Sequence, residues 1–146
     1  MSNDEIKFGM DNEPELAVAE NVEEETVIKK KPFATWEVDG VTYRLALETG
    51  VICQLESKIK KNLMFLLDDP DGIPPLGTML TVVQGAMQKY HHGISFHRVQ
   101  QLYDKYRATG KAQTEFFAEV FIPIFEVSGF FTEEMSEMMD ESTVEI

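Results

Sequence analysis

All three histidines of the chain fall inside one stretch of ten residues, QKYHHGISFH, as His91, His92 and His97. Imidazoles gathered in this way suggest a metal, and the spacing can be tested against what metals need. Zinc takes three or four converging nitrogen, sulfur or carboxylate ligands, and two histidines on one helical face stand four positions apart. His91 and His92 are adjacent and point apart. His97 lies beyond Gly93, and no third ligand is close in sequence. The stretch therefore reads as a corner between two helices, with no metal site predicted. The one cysteine, Cys53, would need a neighbouring base and an electropositive, open setting to act as a nucleophile. Beside Ile52 and Leu55 it is expected to pack as a small apolar residue. No G-x-S-x-G motif, Gly-rich phosphate loop or spaced carboxylate pair appears. The expectation is a protein without catalytic residues or cofactor, not an enzyme.

The elements that hold these residues begin where the charge pattern changes. Residues 1–31 carry nine acids and four lysines, residues 32–131 eleven acids and nine bases, and residues 132–146 six acids and no base. The net charge of −13 thus belongs mostly to the two ends, which read as an acidic, solvated N-terminal tail (1–32) and an acidic C-terminal tail or helix (132–146) around a globular domain (33–131). Mimicry of DNA by the acids would need carboxylates fixed at phosphate-like spacing, about one charge per 1.7 Å of duplex, which tails do not offer. The nearly neutral middle has no basic track for nucleic acid. No apolar run is long enough to span a membrane, no signal-peptide pattern opens the chain, and one cysteine excludes a disulfide framework within it. A reducing cytoplasm is the expected location.

Within the domain, TWEVDGVTYRLAL alternates around Asp39-Gly40 and predicts a β-hairpin over 34–47, anchored by Trp36 and Tyr43. Thr49 is placed to cap a helix over about 50–66, with Glu56 and Lys60 as an i,i+4 pair. A second helix follows Pro75, with Leu76, Met79, Leu80, Val83 and Met87 on one stripe and Gly77 and Gly85 as sites of close approach. Gly93 would end it as a left-handed cap. Ser95 would then cap a third helix buried through Phe96, Val99, Leu102, Tyr103 and Tyr106. The fourth, from Thr114, is the most apolar, with Phe116, Phe117, Val120, Phe121, Ile124 and Phe125 and a kink at Pro123. The fold class is mostly α, α+β: a hairpin followed by a compact bundle of about four helices.

The end of the domain, SGFFTEEMSEMMDE, sets Phe130, Phe131, Met135, Met138 and Met139 into an acidic segment. Phe131, Met135, Met138 and Met139 share a side at helical spacing. They make either a last core helix or an adaptable Met-rich surface for a partner, since unbranched thioethers repack around varied shapes.

Three stretches, ATWEVDGVTYRLALETGVICQLESKIKKNLMFLL, MLTVVQGAMQKYHHGIS and FFAEVFIPIFEVSGFF, together resemble the small tail-assembly chaperones of long-tailed phages and prophages of Gram-positive bacteria. The resemblance spans residues 33–131. It consists of the Asp-Gly hairpin, an L-x-x-G-x-x-x-x-L-E lead into a helix (Leu47, Gly50, Leu55, Glu56) and a Phe-rich helix closing in Ser-Gly-Phe-Phe. It implies a non-catalytic assembly factor of the host bacterial cytoplasm that binds the tape measure protein and helps gather major tail tube protein around it. Self-association is open. No cofactor, nucleic acid or membrane is implied, and a longer frameshifted form is common in that family. The acidic first 31 residues depart from its pattern. Two other classes remain: a structural virion protein of the tail or head-tail connector, and an acidic host-directed inhibitor.

Overall fold

The computed structural model describes residues 31–138 apart from 69, 71 and 136. The elements below all lie in the unit Pro32–Ile146. Most of the acidic N-terminal segment expected to be a tail, residues 1–30, lies outside the described residues, as do residues 139–146.

The hairpin forms as its sequence requires. Strand β1 (Ala34–Val38) pairs antiparallel with β2 (Val41–Leu45) in the register Ala34↔Leu45, Trp36↔Tyr43, Val38↔Val41. A two-residue turn of this kind needs both central residues at positive φ. Asp39 (φ 56°) and Gly40 (φ 80°) supply it. Period-two alternation buries Ala34, Trp36 and Val38 while Thr35 and Glu37 face outward. On β2 only Leu45 is fully covered, Tyr43 is half-buried, and Val41 is exposed.

Helix α1 (Thr49–Ile59) stops seven residues before the expected end. Its stop signal is Lys60, which takes the left-handed conformation (φ 68°, ψ 36°) and donates its N–H to the Glu56 carbonyl. A 3-10 turn, Leu63–Leu66, follows, capped by Asn62, whose Oδ1 accepts the Met64 N–H at 2.8 Å. Glu56 is not used in the expected pair with Lys60. Its Oε2 accepts the Leu63 N–H at 3.0 Å and ties the turn to the helix. Nor does Thr49 cap the start, since Glu48 occupies that position with no side-chain hydrogen bond. A left-handed conformation costs a non-glycine residue about 1–2 kcal/mol, part of which glycine returns through its looser unfolded chain. Lys60→Gly is therefore expected to raise stability by about 0.5–1 kcal/mol in denaturant titration. A loss of stability would mean that the Lys60 side chain holds the turn.

Helix α2 (Leu76–Met87) lies at the centre, with Met79, Leu80, Val82, Val83, Ala86 and Met87 all buried. Gly85 serves the close approach expected of it: a Cβ there would meet Val51 Cγ1 at 2.9 Å and Leu55 Cδ1 at 3.2 Å, so α1 crosses where the side chain is missing. Gly77 does not, because nothing lies within 4 Å of its Cβ direction. Gly93 has the expected positive φ of 84° but is not the cap of α2, which ends at Met87 with Gln88 following. Two glutamines organise this corner. Gln84 and Gln88 both donate to the Ile94 carbonyl (3.1 and 3.3 Å), and Gln88 Oε1 accepts the Gly93 N–H at 3.0 Å.

Helix α3 (Phe96–Ala108) starts as predicted, with Ser95 Oγ accepting the Arg98 N–H at 3.0 Å, and buries Val99, Leu102, Tyr103 and Tyr106. The final helical run begins one residue early, at α4 (Gln113–Phe116), where Glu115 Oε1 accepts the Ala112 N–H at 2.7 Å. It passes through a π-helical segment (Phe117–Phe121) into α5 (Ile122–Val127). Pro123 has no N–H to donate, and the widened turn just before it, closed by Ile122 N–H on the Phe117 carbonyl, takes the place of a simple kink. Phe116, Phe121, Ile124 and Phe125 are wholly covered. The architecture is the expected one, a hairpin followed by a mostly helical body.

Candidate functional site

The residues after α5 separate into two groups. Ser128 Oγ accepts the Leu47 N–H at 2.9 Å, Gly129 turns the chain at φ 86°, and the Phe130 N–H returns to the Phe125 carbonyl at 3.3 Å. The Ser-Gly-Phe-Phe motif is thus a reversal that ties this end to the segment between β2 and α1. It sends the Phe130 ring against Phe125, at 4.8 Å between centroids, and leaves it half-buried. Phe131 is in the core, with 6% of its surface exposed. Of the two readings of this segment, burial by its own domain fits the core one for Phe131 and sets it apart from the methionines.

Beyond Phe131 the character changes. Thr132 Oγ1 accepts the Met135 N–H at 3.2 Å and caps a short helical stretch, residues 133–135. Met135 is 42% exposed and Met138 62% exposed. Met139 lies outside the described residues. Of the five residues singled out from sequence, two therefore present apolar surface to solvent, flanked by the exposed acids Glu134 and Glu137.

A second apolar exposure had no sequence signal. Phe65, in the 3-10 turn, is 63% exposed, between the buried Leu63 and Leu66. Only after α1 stops at Lys60 does the tighter turn send Leu63 and Leu66 inward and Phe65 out. Between α1 and α2 runs an open groove of about 680 Å³, with Val51, Leu55 and Gly85 along it and Gln54, Gln84 and Lys58 among its polar lining. Cys53, expected to pack, is exposed. The stripe of α1 that turns inward is centred on Leu55, and Cys53 falls off it.

The histidines resolve individually. His91 is half-buried, and its Nε2 accepts the Arg44 backbone N–H at 3.0 Å. This fixes the proton of the neutral ring on Nδ1. Its ring stands edge-on to Tyr43 at 5.2 Å. The Arg44 guanidinium lies over Phe33 (4.8 Å) and near Tyr90 (6.0 Å), whose rings meet at 5.6 Å. Burial, and then the positive charge of Arg44, hold the His91 pKa below its ordinary 6.5. His92 and His97 are exposed. Among the described residues no group of three or more histidine, cysteine or carboxylate side chains is placed to hold a metal ion, and no helix is long and apolar enough to cross a membrane.

A family model described as a family of unknown function (DUF6096) matches residues 28–144. No curated protein and no solved structure matches the chain.

Proposed function

Taking as premise that the chain belongs to this family of unknown function, we propose that it is a tail-assembly chaperone of a phage or prophage, a non-catalytic protein that binds the tape measure protein and helps recruit tail tube subunits in the host bacterial cytoplasm. The observation that carries the reading is the exposed pair Met135 and Met138 on an acidic segment just past the Phe131 anchor. A long helical client offers apolar stripes that aggregate when bare. Flexible thioethers on a charged carrier suit a cover that must bind many similar surfaces and then let go. The resemblance in the Asp-Gly hairpin, the Leu47 to Glu56 lead into α1 and the Ser-Gly-Phe-Phe closure supports the same reading.

Co-expression should raise the soluble yield of the cognate tape measure protein, because a ligand that holds the dispersed form lowers the population free to aggregate. The double variant Met135→Ser, Met138→Ser should lose most of this rescue with its circular dichroism unchanged. Undiminished rescue by a folded double variant would move the contact elsewhere, to Phe65 or the α1–α2 groove. Absence of rescue by the native chain would count against the chaperone reading. A structural virion protein would instead remain in purified particles, where mass spectrometry would find it.

A further inference from the structure

In an antiparallel hairpin every second N–H of a strand points away from its partner. With the narrow pair at Val38↔Val41, the outward N–H groups of β2 and the residue after it belong to Thr42, Arg44 and Ala46. Two of these are closed by the α2 end of the molecule. The Ala46 N–H donates to the Ala86 carbonyl at 2.9 Å, and the Arg44 N–H donates to His91 Nε2 at 3.0 Å. The first bond is pH-independent. The second depends on an imidazole nitrogen that must be unprotonated to accept.

We propose that His91 is a proton-operated latch on the outer edge of β2, closed when its neutral ring accepts the Arg44 N–H and opened when protonation removes that acceptor and sets an imidazolium beside the Arg44 guanidinium. Opening leaves the outer edge of the hairpin unpaired at Arg44 while Ala46 stays tied to α2. An unpaired strand edge is the group that an extended chain adds to. The surroundings favour release. Tyr43 faces the ring from β2, and Lys89, Tyr90 and His92 flank it on its own segment. Arg44 is the charge that acts on it among the described residues, and it is a cation. Among the described residues no carboxylate acts on the ring to hold the imidazolium in place. Because the folded pKa lies below the ordinary 6.5, the native state binds fewer protons than the unfolded chain near that pH. The latch's contribution is therefore complete above that value and is lost as pH falls through the folded pKa.

The test is nuclear magnetic resonance of the full chain between pH 8 and 5, following the His91 ring and the Arg44 amide. The ring should show the Nδ1-H tautomer at neutral pH and titrate below 6.5. The Arg44 amide should shift with the same midpoint, and its exchange protection factor should fall about threefold to tenfold, as loss of one hydrogen bond implies. His91→Gln, which keeps an acceptor that does not titrate, should abolish the Arg44 transition, whereas His92→Gln should leave it unchanged. An Arg44 transition persisting in His91→Gln, or a His91 ring titrating at or above 6.5, would overturn the proposal. Should His91→Gln fail to fold, the native chain decides: coincident His91 and Arg44 midpoints sustain the latch and separated midpoints refute it.

Discussion

Replacing Trp36 with alanine is expected to cost about 3–5 kcal/mol, a large share of the total of about 5–15 kcal/mol that holds a domain together. The expectation rests on what the ring touches. Trp36 is 2% exposed and stands edge-to-face with Phe116 (5.3 Å) and Tyr106 (6.0 Å), so one side chain of β1 meets α3 and α4 at once. A two-stranded hairpin is marginal in water and persists only through the face it buries. Loss of the indole removes most of that face, because β2 contributes only Leu45 at full burial. Trp36→Phe is the informative companion. The indole Nε1 is buried without a hydrogen-bond partner, so this change forfeits volume and no hydrogen bond, and should cost markedly less than the alanine. Urea titration reads both, as a lowered midpoint with unchanged slope. An alanine cost below about 1 kcal/mol would show that the hairpin is not seated by this residue.

The same aromatic cluster explains how a polar handle is accommodated near the core. Tyr106 is buried beside Tyr103 and Phe116, and its hydroxyl donates to Glu119 Oε1 at 3.3 Å. Burial, and then the charge of Glu119, push its pKa well above the ordinary 10 and keep it a donor. Lys111 Nζ completes the arrangement at 3.2 Å from the same carboxylate oxygen. The charged partners are substantially exposed, so the ion pair adds little stability. Packing of the rings stabilises this corner more than the ion pair does, and the hydroxyl fixes which way Tyr106 faces.

Elements specified by one strong local rule were legible in the sequence. Asp39-Gly40 set the hairpin register because few residue pairs accept positive φ in succession, and Ser95 marked the start of α3 because a hydroxyl there satisfies a free N–H. The departures occur where a residue acts against its type. Lysine is a good helix former, so nothing at Lys60 announces a left-handed stop. With α1 read through to residue 66, the exposure of Phe65 went unforeseen and Cys53 was expected to pack. The corner after α2 was read from Gly93, whose φ was legible, but the bonds that organise it come from Gln84 and Gln88, whose long amides carry no turn signal. Similarly, Pro123 signalled a disturbance in the last helix without saying that a π segment would absorb it. For His91, the sequence argument went no further than its adjacency to His92. Its partner, a backbone N–H at Arg44, lies 47 positions away, a separation no local pattern reaches.

Phe131 and the methionines after it looked alike in sequence, as apolar positions on one helical side, and their substitution should separate them by several kcal/mol. Phe131→Ser removes a ring that is 6% exposed and leaves a hydroxyl in its place. The lost burial costs about 3–5 kcal/mol, before any penalty for the hydroxyl's unmet hydrogen bonds. Met135→Ser and Met138→Ser act on side chains that are 42% and 62% exposed, and substitutions at such places usually fall within about 0.5 kcal/mol of neutral. The contrast matters for function. A partner surface must be free in the unbound protein, and a residue its own domain already covers can serve it only by first opening the fold. If thermal melts show Phe131→Ser strongly destabilised and both methionine variants near native, a loss of client rescue in the methionine variants reports on contact, while a loss in Phe131→Ser reports on folding. Equal, large destabilisation at Met135 would place it in a core that the isolated chain already completes, and the partner surface would then have to be sought at Phe65 and the groove beside it.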